Sequence, residues 1–524
     1  MDGFLCAVDV GTTSARAAIF SPSGQMLAKH IQPIALYLMD EGQADHASDN
    51  IWQSVCTAVR AVLSDIDSEK VVAIGFDATC SLVLRDGDDN PLPLGPDGCD
   101  TILWFDHRAK AEAALISATG HDLLQYAGGT LSPEMQLPKL LWLKRQRPDL
   151  WSQLGAAYDL SDYLTYRATG SNARSICTLT AKWNYLAHEA RWSADFHDTI
   201  GLSDLYERAK LPATATPLSA PVGVLTEQAA AELGLRAGCV VAHGMIDAFA
   251  GCLGAIGANA HADEGHDLAL IAGTSTCVMS MTSAQWKAKG VWGPYHSVLL
   301  PDMWVNEGGQ SATGALLDFI LRTFSPNRSE SPENHAMVEK RLKVLFAEKG
   351  PQLASEINIL PDVNGNRSPL ADPAARGVFS GLTLDTTFDG MCKIYWRTAV
   401  ALAMGLRQIV EHMRANGPAI ERLHVTGGHV RSTLLMQLYA DATGCPVHVA
   451  ADGDAVLLGT AIVAATVGGM HGDLASAAMA MQSDTVIYEP DPARRAAYDI
   501  DYKVFLAMQE HRDALRALRQ TSGD

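Results

Sequence analysis

The sequence has no G-x-x-x-x-G-K-[ST] loop, no C-x-x-C pair, and no cysteine and histidine set with the spacing of a zinc site. These absences exclude an ordinary P-loop NTPase and a structural zinc module. Basic residues are neither abundant nor clustered. The 40 Lys and Arg stand against 59 Asp and Glu, a formal net charge of -19, which argues against a nucleic-acid partner. Long apolar runs are scarce as well. Ala455 to Met470, the most apolar uncharged stretch, is shorter than the ~20 residues a membrane span needs and reads as a buried helix. Leu268 to Trp286 is a longer uncharged run, but its Ser and Thr residues suit a hairpin. No membrane partner is therefore expected. The chain opens without a basic region or a signal-type apolar run, and its ten cysteines are scattered through apolar, strand-like contexts. Both features read as a cytoplasmic protein with reduced core thiols.

What the chain has is enough apolar residue, 48% of 524, to build more than one core. That length suits two domains of roughly 250 residues each. The Gly- and Ala-rich stretch Gly251 to His261 carries few anchoring side chains and marks the division, giving 1–257 and 258–524.

The most informative segment is Leu5-Cys6-Ala7-Val8-Asp9-Val10-Gly11-Thr12-Thr13-Ser14, an apolar strand running into a hydroxyl-rich turn with one carboxylate at the join. Gly11 lets backbone approach an anion, Thr12 and Thr13 add donors, and inward-turned amides form an anion-binding concavity. Asp9 cannot bind phosphate itself, so its natural partner is a hydrated Mg²⁺ carried by a nucleotide. A hairpin turn with an ordinary acidic residue fits the same residues. The pattern recurs in Asp267 to Val278, where Gly273-Thr274-Ser275 matches Gly11-Thr12-Thr13 and Ile271 replaces Asp9. Two such hairpins suggest a nucleotide clamped between lobes, with metal handled by the first alone.

The pattern from Phe4 to Lys29 predicts three antiparallel strands, followed by a helix over Ser48 to Leu63 capped by Ser48 or Asp49, and then the strand Val71 to Phe76. Three strands, a helix and a strand form the opening order of the actin-like, ribonuclease H-like ATPase domain. Asp247 follows a buried strand and opens a small-residue helix, a position for a general base in a cleft or for a helix cap. In the first role the helix N-terminus would keep it ionised. Met391 to Asn416 reads as a long helix, and Thr426-Gly427-Gly428 as either an adenosine site or a plain strand-to-helix turn. The polar clusters Asp77-Ala78-Thr79-Cys80-Ser81, Trp104 to Arg108 and Asn306 to Gln310 suit a polyhydroxy ligand with an aromatic over one face. Asp106, His107 and Arg108 equally suit a structural ion-pair knot.

In this order the motifs resemble the FGGY carbohydrate kinases, and within them the pentulose kinases of the D-ribulokinase type. The likeness runs from Ala7 to about Thr466 and includes Ser132 to Trp142 and Tyr158 to Leu164. It implies an α/β architecture of two actin-like (ribonuclease H-like) ATPase domains with a central cleft, using ATP and Mg²⁺ on a small-molecule sugar. The N-terminal domain would carry sugar binding, the first phosphate loop and the base, and the C-terminal domain the second phosphate loop and adenosine binding. Asp247 stands at the family's catalytic-base position and Asp9 at the metal. The resemblance implies nucleotide contacts from Asp9, Gly11, Thr12 and Thr13, from Gly273, Thr274, Ser275 and Gly314, and from Gly427, Gly428 and Arg431. Sugar contacts are expected from Asp77, Thr79, Cys80 and Trp104, and from Asp106, His107, Asp247 and Glu307. Kinases of this family are often dimers, so a homodimer stays open.

The element Asp77-Ala78-Thr79-Cys80-Ser81 lacks the Arg-Glu pair of glycerol kinases and the Met-His-Gly of D-xylulose kinases. The resemblance therefore implies phosphorylation of the terminal primary hydroxyl of a ketopentose, D-ribulose first, with L-ribulose, D-xylulose or a pentitol such as ribitol as alternatives. A non-catalytic actin-like nucleotide switch is the alternative of another class, and the presence of both Asp9 and Asp247 speaks against it. One departure is His429-Val430 after the glycine pair, which places an imidazole and a branched side chain where both must fit beside adenosine.

Overall fold

The computed structural model describes residues 3–39, 42–260, 265–325, 331–451 and 454–520. Two mixed sheets form its centre and repeat one plan. In the first, β1 (Phe4–Val10), β2 (Ser14–Phe20) and β3 (Met26–Pro33) are antiparallel, and β4 (Val71–Ala78) and β5 (Val240–Ala242) extend the sheet parallel to β1. The order is β5-β4-β1-β2-β3, with Pro221–Val224 on the outer edge beyond β5. In the second, β6 (Asp267–Ala272), β7 (Thr276–Thr282) and β8 (Trp304–Gln310) are antiparallel, and β9 (Arg422–Thr426) and β10 (Val447–Ala450) continue parallel to β6. This is the two-domain actin-like plan expected from the sequence. Strand β1 is apolar apart from Asp9 and buried along nearly its whole length, as a central strand covered on both faces must be.

The helix α1 (Ser48–Val62) covers the first sheet with Ile51, Val55, Ala58, Val59 and Val62. Its cap position is Ala47, without a side-chain cap, and not Ser48 or Asp49. Ser48 is drawn off by Asp100, which accepts both its N–H at 2.8 Å and its hydroxyl at 2.6 Å, while Asp49 pairs with Arg167. A buried carboxylate thus outcompetes the local cap.

Between the sheets lie α2 (Asp247–Ile256) and, after the long helix α3 (Phe388–Asn416), α4 (Ala455–Val467). Each crosses to the other lobe. The first packs mainly on β6 and β9 of the second sheet, and the second on β1 and β4 of the first. Helix α4 is buried from Ala455 to Ala465, which explains its apolar character all round. The stretch Gly251 to His261 is therefore not the lightly anchored segment its composition suggests. Gly251 to Ile256 lies inside α2, and its small residues let two backbones approach; His261 lies outside the described residues. The C-terminal helix α5 (Pro492–Gln520) runs along the second lobe. Among the described residues, no helix is long and apolar enough to cross a membrane, and all ten cysteines are free.

Candidate active site

The two Gly-Thr turns open on one cleft of about 1080 Å³ between the lobes, lined by Gly11 and Thr12 from one side and Gly273, Thr274 and Ser275 from the other. Each closes on itself: the Gly11 N–H donates to Ser14 O at 3.0 Å and the Gly273 N–H to Ser275 O at 2.9 Å. The lobes' shared plan makes Asp9 and Ile271 equivalent, each one residue before the end of its strand. Strand register then builds the acidic cluster. Asp9 lies opposite Arg16 across the hairpin and opposite Asp77 on the parallel strand, and Met245, two residues before Asp247, pairs with Asp77.

Asp9 and Asp77 are both sealed from solvent. Burial pushes the Asp9 carboxyl up to about 7 against the pull of the Arg16 guanidinium with which it forms an ion pair. Burial and the neighbouring Asp9 raise Asp77 well above the ordinary range, and the Thr460 hydroxyl of α4 donates to its Oδ2 at 2.5 Å. Arg16 also reaches Asp454 at 3.1 Å, and Lys29 reaches the same oxygen at 2.8 Å. Asp454 caps α4 through the Val456 N–H, so this cluster ties the lobes together beside the first turn.

Asp247 opens α2 at the cleft, accepting the Ala248 N–H at 2.7 Å. Its pKa is raised by burial, with the Ala248 N–H, Arg16 and Lys182 opposing. The helix start alone therefore does not set its charge, contrary to the expectation from sequence, because α2 is packed between lobes rather than ending in solvent. The raised value makes the carboxylate a stronger base.

Thr79, Cys80, Trp104, Glu307 and Asp247 all line this cleft. The Trp104 indole N–H donates to the Thr12 hydroxyl at 3.1 Å, joining this region to the first turn. Lys182 and Glu307 form a buried ion pair across the lobes at 3.1 Å. Arg367 and Glu134 form a second at 2.9 Å, and all four line the cleft.

Besides Asp9, sealed beside the first turn, and Gly314, four of the sequence's candidates do not line the cleft. Asp77 is buried beneath the cleft and held by Thr460. Asp106 accepts the Ala44 N–H at 2.7 Å and pairs with Arg108, which also pairs with Asp45, so the ion-pair knot describes this cluster. His107 does not line the cleft either, and Thr13 is exposed, its carbonyl accepting the Ile34 N–H.

On the opposite wall Gly427, Gly428, Val430 and Arg431 line the cleft. Gly427 has φ +93°, and a Cβ there would strike the Ala272 carbonyl oxygen. His429 turns away from the cleft. It is buried with Nδ1 2.9 Å from the Tyr439 hydroxyl, and burial lowers its pKa to about 4, so only Val430 of that pair faces a ligand. Gly314 stands behind the second turn rather than in the cleft, its N–H donating to Gly273 O at 3.1 Å.

Arg16, Lys182, Glu134 and Arg367 were not among the sequence candidates. Arg16 was within reach, since it stands seven positions after Asp9 across a tight hairpin, a spacing that makes the two opposite one another. The other three are assembled by packing from distant segments, and of these Glu134 alone falls in a stretch, Ser132 to Trp142, that the sequence marks.

Whether the site suits a divalent cation turns on Asp9. Apart from the Arg16 ion pair and the facing Asp77 carboxyl, neither of its oxygens has a hydrogen-bond partner. Asp454 and Asp247 add negative charge around it. Among the described residues no three His, Cys, Asp or Glu side chains form a metal cage. That combination fits a Mg²⁺ bringing water and phosphate ligands of its own.

A two-lobed fold with twin glycine turns facing a carboxylate across one cleft defines a nucleotide-using phosphotransferase. The N-terminal domain of the FGGY family of carbohydrate kinases matches residues 4–254 and its C-terminal domain residues 268–467. The chain belongs to this family and is a sugar phosphotransferase. It is 40% identical to an FGGY carbohydrate kinase domain-containing protein of Danio rerio over 97% of each chain. It is 36% identical to a D-ribulokinase of Saccharomyces cerevisiae, covering 88% of this chain and 71% of that one. A xylulose kinase structure from Rhodospirillum rubrum shares the fold at TM-score 0.80 and 22% identity, covering 98% of this chain and 99% of that one.

Proposed function

We propose that the protein transfers the terminal phosphoryl group of ATP to the terminal primary hydroxyl of a ketopentose, with D-ribulose the first choice. The observation that carries this reading is the position of Asp247, inside the same cleft that both Gly-Thr turns line. The likeness to the yeast D-ribulokinase supports the substrate class. Family membership sets aside the non-catalytic switch, because a switch needs no acceptor site.

The sugar hydroxyl loses its proton to Asp247 as its oxygen bonds to the γ-phosphorus, and the bond to the bridging oxygen breaks to release ADP. Asp9 and Arg16 would hold the metal and phosphate end, and a bound Mg²⁺ supplies charge neutralisation on the phosphates. The backbone N–H groups of the two turns would cradle the phosphates from both lobes. Gly427 and Gly428 leave a flat wall for adenosine, with Val430 and Arg431 beside it. Lys182 and Glu307 give the sugar a donor and an acceptor next to Asp247, while Trp104 covers one face. Closure around both substrates would exclude water and so suppress ATP hydrolysis.

The test is purified protein with ATP and Mg²⁺ against D-ribulose, L-ribulose, D-xylulose, ribitol, glycerol and ketoheptoses, read as ADP formation. Highest kcat/KM on D-ribulose is expected. ADP release that is the same with and without every sugar would overturn the reading.

A further inference from the structure

Loop 361–377 joins the paired strands Asn358–Leu360 and Val378–Ser380 and brings Arg367 back into the cleft. It is held on several sides. Asn366 and Asp372 exchange backbone hydrogen bonds, and the Ser368 hydroxyl donates to Gly290 O at 2.6 Å while accepting the Gly309 N–H at 3.1 Å. From outside, Arg512 and Arg516 of α5 form ion pairs with Asp362 and Asp372, which flank Arg367 in the loop. The C-terminal helix therefore clamps the segment that delivers this guanidinium.

Inside the cleft Arg367 is 7% exposed. Its Nη2 donates to both oxygens of Glu134, at 2.9 and 3.2 Å, and its Nη1 to Cys277 Sγ at 3.7 Å. The guanidinium lies 5.0 Å from the Trp292 ring, which Lys182 approaches to 4.6 Å. Gly309 keeps the space open, since a Cβ there would stand 3.2 Å from Nη1. Its location follows from the contacts that join it to the sugar end of the cleft. The Cys277 thiol beside Arg367 donates to Glu307 Oε1 at 3.7 Å, and Glu307 pairs with Lys182 at 3.1 Å, so Arg367 adjoins the Lys182–Glu307 pair. A ketopentose held with its terminal hydroxyl at Asp247 and running along that pair would bring its ketone end to Arg367.

We propose that Arg367, oriented by Glu134, is a specificity-determining residue that reads the ketone oxygen of the sugar and selects a ketose over the corresponding polyol. The chemistry is one of matched donors and acceptors. With both Glu134 oxygens engaged, the pair presents N–H donors to the ligand. A ketone oxygen only accepts and is fully satisfied there. A polyol hydroxyl in its place also carries a hydrogen, which has to compete with the guanidinium for the Glu134 oxygens and is bonded less well there than in water.

This inference rests on the ketopentose reading, and the experiment separates the two. Initial rates are measured for D-ribulose and for ribitol, as substrate or competitive inhibitor, with wild type, Arg367→Met and Arg367→Lys, alongside the KM for ATP. The wild type is expected to favour D-ribulose by about 10-fold or more. In Arg367→Met the ketose-to-polyol ratio of kcat/KM falls by about 10- to 100-fold, chiefly through the KM for D-ribulose. Arg367→Lys, which keeps the cation but loses the planar fork, moves the ratio the same way by a smaller factor. The KM for ATP does not follow. A wild type active on both sugars with no preference, or a folded variant whose ratio is unchanged, overturns this inference alone. A wild type that phosphorylates neither overturns the ketopentose reading and this inference with it.

Discussion

Gly459 of α4 lies directly against Ala250 of α2, so close that a Cβ on Gly459 would collide with the Ala250 carbonyl oxygen. Gly254 stands in the same relation to Ala455 on the facing helix. The crossing that joins the two lobes is thus made by backbone on backbone. It carries Asp247 at the start of one helix and Thr460, the partner of Asp77, on the other.

A methyl group at this crossing has nowhere to go, because the opposing atom is main chain and cannot rotate aside. Gly459→Ala is expected to destabilise the protein by about 1–3 kcal/mol through overpacking. The shift should appear in the urea midpoint. Turnover should fall as well, since parting the helices moves Asp247 relative to both turns.

Lys182 and Glu307 are a buried ion pair, 4% and 3% exposed, that spans the lobes. Removing one partner strands a charge in a poorly solvated site. Lys182→Met is expected to cost about 3–5 kcal/mol, and Lys182→Met combined with Glu307→Gln much less than the sum of the two single changes. Chemical denaturation of the four proteins measures the coupling. Equal, additive losses would mean that the pair is open to water.

Asp9 is held sealed and raised to about 7, an environment that disfavours its charged form until a cation arrives. Asp9→Asn removes that charge at nearly constant shape. It is expected to keep or raise the melting temperature while increasing the Mg²⁺ needed for half-maximal rate by about 10- to 100-fold. A metal requirement equal to that of wild type would exclude Asp9 from the metal site.

Local sequence revealed the elements whose chemistry is continuous along the chain. The turns after Asp9 and Ile271 and the glycine pair at Gly427 each follow an apolar strand and carry residues that suit a ligand, and the uncharged run from Ala455 reads directly as a buried helix. What stayed hidden was decided by contacts between distant segments. The small residues of α2 read as a weak linker because sequence does not say that a second helix of small residues will cross it. Ser48 reads as a cap until Asp100, far along the chain, claims it. His429 reads as a neighbour of adenosine because its residue type is visible and its direction toward Tyr439 is not. Arg367 gave no local signal at all, and reaches the cleft on a loop fastened by the C-terminal helix.

Burial raises the Asp247 pKa above the ordinary aspartate value, against the Ala248 N–H, Arg16 and Lys182. The working form of a base is the carboxylate, which is lost as the pH falls through that pKa. The rate of phosphoryl transfer should therefore decline on the acid side, with a limb above the ordinary aspartate value. The limb should vanish from the residual activity of a variant that lacks the carboxylate.

The most direct measurement is the turnover of Asp247→Asn with saturating ATP, Mg²⁺ and D-ribulose, alongside its melting temperature and its KM for ATP. A fall in kcat of about 100- to 10,000-fold is expected, with fold and nucleotide affinity retained. Near-normal turnover in that variant would contradict a catalytic base at position 247.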